Sequence, residues 1–183
     1  MDYQSSPSVD NSQIEEIKRR LETDRQYRGG ISWFFWIAAL SVINTVMYWI
    51  GSDTSFLMGL GVTQFIDAIA IQLRADLGSG SEIITVVAIV LDLLLAGIFV
   101  IFGILGRKKM LWAVVVGMVL YLMDGIFIFV LQVYTSGIFH ILALVGIATA
   151  LAAYKKQEKI VKAEINKTPE RSNFQNDYYR PPQ

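Results

Sequence analysis

Asp92, Asp124 and His140 are the residues whose chemistry stands out, because each is set inside a long apolar run. Ionisable groups in such runs are rare, costly to bury, and by default tied to function. Asp92 lies in IITVVAIVLDLLLAGIFVIFGIL (83–105), Asp124 in MLWAVVVGMVLYLMDGIFIFVLQV (110–133) and His140 in GIFHILALVGIATALAAY (137–154). Asn44 and Thr45 belong to a further run, ISWFFWIAALSVINTVMYWI (31–50), and Gln64 and Asp67 to the segment after it. Two carboxylates that approach in a low dielectric do not both stay charged cheaply: one holds a proton, or both share a cation. The residue types therefore suit a site for a small ligand, a proton or an ion, built from Asp67, Asp92, Asp124, His140, Asn44 and Gln64. They suit interhelical glue equally well, with an Asp paired to Asn44, Thr45, Tyr121 or Gln132 at about 1 kcal/mol per pair.

The elements that must position these groups follow from composition. The chain has 183 residues, no cysteine and zero formal net charge, with 54% apolar and 17% charged residues. An ordinary soluble domain carries about 25% charged residues. Most charges lie in the tails, outside 31–154, which excludes a soluble globular domain, a disordered chain and a disulfide-stapled scaffold. Zero net charge gives no sign of nucleic-acid binding. Without cysteine there is no thiol catalysis and no thiolate metal site. About 20 apolar residues cross the roughly 30 Å hydrocarbon core, so the four runs read as four transmembrane helices of an all-α integral membrane protein. The polar N-terminus MDYQSSPSVDNSQ predicts no cleaved signal peptide. Residues 1–10 read as a disordered tail, 11–28 as a short amphipathic helix with Ile14, Ile17 and Leu21 on one stripe, and Gly29-Gly30 as its break. Residues 155–183 read as a charged helical extension followed by a disordered tail.

Segment 55–74, SFLMGLGVTQFIDAIAIQLR, is apolar enough to suggest a fifth span. Yet Thr63, Gln64, Asp67 and Arg74 share one helical face. The distribution of cations decides between the two arrangements. If 55–74 does not cross, the N-tail, the 106–109 turn and the C-tail carry fifteen of the sixteen Lys and Arg on one side, with Arg74 alone on the other. Five spans would scatter them. The positive-inside rule thus favours four spans, cytoplasmic termini, and 55–74 as an outer interfacial or re-entrant amphipathic helix. On that arrangement Asp92 and Asp124 lie at matching depths, roughly 14 Å below the outer boundary, on neighbouring antiparallel helices, with His140 about 5 Å below it.

Specific chemistries have thinner support. One His with three Asp lacks the spacing of a zinc site. Ser136, His140 and Asp124 have the composition of a hydrolytic triad but no GxSxG elbow, and Ser136 in YTSG reads as an exposed helix N-cap. The glycine-rich GLG and GSG pieces lack the context of a phosphate loop. ISWFFWIAALSVINT, GLGVTQFID, LYLMDGIFIFVLQ and GIFHILAL together resemble a group of small, functionally uncharacterised bacterial multi-pass membrane proteins over 31–154. That resemblance implies a bacterial inner (cytoplasmic) membrane and carries over no activity. The sequence reading is a membrane protein, without a cofactor or metal, embedded in the lipid bilayer. An intramembrane hydrolase, a homo-oligomer and an accessory subunit of a membrane complex stand as alternatives.

Overall fold

Apolar runs of this length become helices because a helix satisfies all of its backbone hydrogen bonds within the segment, which hydrocarbon demands. The computed structural model describes residues 11–51, 59–78, 81–132 and 134–167, and among these every regular element is a helix. They are α1 (Asn11–Trp49), α2 (Gly61–Leu77), α3 (Glu82–Arg107), α4 (Leu111–Val130) and α5 (Tyr134–Lys167). Four of them, α1, α3, α4 and α5, are long and apolar enough to cross a membrane. This is the architecture of a multi-pass membrane protein. Their outward faces carry large apolar side chains, among them Leu94 at 61% exposure and Ile141 at 65%, a surface that only lipid or a partner covers without penalty.

The sequence predicts a break at Gly29-Gly30. Instead α1 runs through it as one helix of 39 residues. The reason is packing: a Cβ on Gly30 would stand 2.7 Å from the Ala150 Cβ and 2.7 Å from the Gly146 carbonyl. Glycine here permits close helix contact rather than a turn. Likewise α5 joins the last apolar run and its charged extension in one helix of 34 residues.

The helices form a ring in which α1 packs against α3 and α5, and α4 packs against the same two. Each turns small and aromatic residues inward. Phe34, Phe99 and Phe102 make tilted and edge-on ring contacts at 6.0–6.3 Å, beside buried Ala113, Val114, Ala143, Ile147 and Ala150. At one end Tyr27 donates its hydroxyl to the Gly106 carbonyl at 2.6 Å and packs against Tyr154. There too Lys109 reaches Asp24 and Gln157. The extensions of α1 and α5 and the α3–α4 turn therefore share this end, called the tail end below. Lys109, at φ 61°, closes that turn, with Met110 N–H bonded back to the Leu105 carbonyl. In the other half, α2 packs against α3, α4 and α1.

Candidate functional site

The functional groups lie where α2 meets the ring. The chain reaches this position through Gly59, whose φ of 139° is open to glycine and strained for other residues. A Cβ there would stand 3.0 Å from Asn44 Nδ2 and 3.1 Å from Ser41 N. Leu60 N–H donates to Ser41 Oγ at 2.7 Å. Ser41 is about 12 Å along α1 from Trp49, so α2 starts well inside the bundle.

Leu60 offers α2 no capping side chain of its own. Asp124 of α4 supplies the cap from across the bundle. Its Oδ2 accepts Gly61 N–H at 2.8 Å and its Oδ1 accepts Val62 N–H at 2.9 Å. A carboxylate at a helix N-terminus satisfies orphan amides and meets the positive end of the helix dipole. Asp124 Oδ2 also lies 2.9 Å from His140 Nε2, and His140 Nδ1 lies 2.9 Å from the Ser136 carbonyl. A carbonyl only accepts, so Nδ1 carries a hydrogen, and the Nε2–Oδ2 contact then requires one further proton on one of its two sides. Tyr121 stacks on the imidazole at 4.6 Å and 12°. His140 is 2% exposed and Asp124 8%.

A second buried contact lies further along α2. Asp67, 1% exposed, accepts the Trp49 indole N–H at 2.7 Å. Asp92, 2% exposed, accepts the Thr45 hydroxyl at 3.0 Å through Oδ2. Asp92 Oδ1 meets no donor among the described residues, and the Asp67 carboxyl is the side chain within hydrogen-bonding reach. Two carboxyl groups bond to each other only when one of them carries a proton. Burial pushes the Asp67 carboxyl above its usual range, against the pull of the Trp49 indole and of the Asp92 and Thr45 contacts. Arg74 lays its guanidinium over the Trp49 ring, 5.6 Å from the centroid.

The sequence-predicted residues thus fall into two contacts. Asp92 and Asp124 turn to different partners, Asp67 for the one and His140 for the other. Asn44 is buried beside Gly59. Gln64 is half-buried and makes no side-chain hydrogen bond among the described residues. Ser136 is buried within α5, not exposed as an N-cap, and the atom it presents to His140 is its backbone carbonyl. No three His, Asp or Glu side chains converge as metal ligands among the described residues. A cavity of about 260 Å³ between α2, α3 and α4 reaches Asp124, but Leu60, Val62, Phe99, Met123 and Phe127 make it apolar, a poor place for a polar substrate. Sequence reasoning singled out neither Ser41 nor Trp49 as a site residue. The missing local cap at Leu60 was a usable signal that some other element must hold the α2 N-terminus. Of the predicted amphipathic segment 55–74, residues 55–58 lie outside the described residues, and the helix begins at Gly61 and runs on to Leu77. Comparison with known family models, with curated proteins and with solved structures finds no match to this chain.

Proposed function

We propose that this multi-pass membrane protein binds a proton within the bilayer, at the carboxyl pair Asp67–Asp92, and that α2 is the re-entrant helix that carries Asp67 to it. The observation that carries the reading is the pair itself: two carboxyl groups at 1% and 2% exposure, in reach of each other, with no cation among their neighbours in the described structure. Neutralisation by one shared proton is the inexpensive solution in a low dielectric.

The faces of α2 support its re-entrant placement. Its inward side holds Thr63 and Asp67, while Phe65, Ile69, Leu73 and Leu77 form an outward stripe at 40–66% exposure. That is the reverse of a helix lying between bundle and water, and it suits a helix flanked by hydrocarbon. With the cationic tail end on the cytoplasmic side, by the positive-inside rule, the pair faces the outer leaflet of an inner membrane. The Asp124–His140 contact serves as the latch on the α2 N-terminus.

Infrared spectroscopy of the purified protein tests the reading. The expected result is a protonated-carboxyl stretching band at neutral pH that is lost in both Asp67→Asn and Asp92→Asn. A spectrum that neither substitution alters would sink it, because a shared metal cation or two ionised groups would leave no such band to lose.

A further inference from the structure

A second feature lies at the tail end and is independent of the acidic pair. Between α1 and α5 a groove of about 510 Å³ is lined by Gln26, Gly29, Trp33, Thr149, Ala153 and Lys156, among others. It straddles the boundary at which the apolar runs give way to the charged extensions. Trp33 and Thr149 lie on the apolar side of that boundary, Gln26 and Lys156 beyond it. The groove therefore changes character along its length, from an ammonium and an amide to an indole and alanines.

Two observations point to an occupant. The first is charge. Asp24 is paired with Arg28 and Lys109, and Glu158 with Lys162. Lys156 has no ion pair among the described residues, and Lys155 and Lys159 flank it. An anion placed at Lys156 meets an uncompensated cation. The second is Gly29. Glycine within a helix costs about 1 kcal/mol relative to alanine, and Gly30 offsets that by close contact with α5. At Gly29 an added Cβ would meet no atom of the described residues. The packing of this chain does not require Gly29, and its missing side chain keeps the groove open. The neighbouring Trp33 is seated in the groove wall, its indole lying where a Cβ on Gly146 would be.

We infer that this groove binds the headgroup of an anionic phospholipid, its phosphate at Lys156 and Gln26 and its glycerol and upper acyl chains along Trp33 and Ala153. Indole rings and lysines at the edge of the hydrocarbon suit that pairing.

Native mass spectrometry of the detergent-purified protein, titrated with phosphatidylglycerol or phosphatidylcholine, tests it. Phosphatidylglycerol adducts are expected at concentrations where phosphatidylcholine gives none. Lys156→Gln should weaken them about tenfold, the loss of one hydrogen bond to a charged group, while Lys155→Gln leaves them in place. Gly29→Leu should abolish them while its thermal midpoint holds or rises, since the new side chain fills open space. Equal binding of both lipids, or adducts that survive Gly29→Leu, would overturn the proposal. So would displacement of the lipid by excess inorganic phosphate, or a dimer that Gly29→Leu converts to monomer, since the occupant would then be a free anion or a second copy. Should Gly29→Leu fail to fold, Lys156→Gln at its exposed position decides the question.

Discussion

At the scale of single residues, the identity of the buried polar groups is legible in the sequence and their pairing is not. Asp67, Asp92, Asp124 and His140 stand out because charge in an apolar run is costly, but counting residues at 1.5 Å each puts Asp124 and His140 about 9 Å apart in depth, whereas their side chains meet at 2.9 Å. Nor does position along a helix fix rotation about its axis. Asp92 shares the buried face of Ala88 and Ala96 and turns to α1 and α2, whereas Asp124 shares the face of Tyr121 and Ile128 and meets α5 and the start of α2. A pH dependence follows for Asp67, whose carboxyl burial raises. A carboxyl raised on folding stabilises the protein fully below its unfolded value, and that contribution is lost as pH climbs through the folded value. Stability in detergent should therefore fall from mildly acidic to mildly alkaline buffer. Asn at position 67 supplies a permanent N–H donor to Asp92 and needs no shared proton. Thermal unfolding of Asp67→Asn across the same buffers should give a flatter profile than the parent, and a parallel one would assign the dependence to other groups.

At the scale of elements, the four apolar runs are legible as helices because their length and lack of charge leave no other structure available in lipid. One reading that fails concerns a pair of glycines. Gly29-Gly30 looks like a break, but at Gly30 the absence of a side chain admits Ala150. The start of α2 is pinned by Ser41 and Asp124 from other elements. Local sequence cannot show a cap delivered from α4. Gly59 then carries a specific burden, with positive φ and close backbone approach together. Gly59→Ala should destabilise the protein by about 1–3 kcal/mol, the usual cost of a strained backbone conformation, and should speed hydrogen exchange in the first turn of α2. Gly97→Ala is the contrast, because a Cβ there meets no atom of the described residues; it should be neutral or mildly stabilising. Equal losses from the two substitutions would show that the approach at Gly59 is not what holds α2.

At the scale of the whole molecule, the clustering of cations and the packing of helices point to the same arrangement from independent premises. By charge alone, the positive-inside rule groups the N-tail, the 106–109 turn and the C-tail on one side. The structure brings Asp24, Lys109 and Gln157 together at one end through contacts that owe nothing to a membrane. A five-span protein would need α2 to pass from one end of the ring to the other, yet its N-terminus is fixed beside Ser41 and Asp124 and its Arg74 lies over Trp49, at the opposite end from the tails. The absence of native cysteine makes this directly measurable. Single cysteines at Lys18, Asp76 and Lys108, probed in intact cells with a membrane-impermeant thiol reagent, should place Lys18→Cys and Lys108→Cys on the protected side and Asp76→Cys on the labelled side. A crossing α2 gives a different pattern: with the N-tail inside, Asp76→Cys becomes protected and Lys108→Cys becomes labelled. That pattern would remove both the re-entrant helix and the outward-facing position of the acidic pair. The expected one would leave Asp67 carried into the membrane on a helix that enters and leaves by the same face.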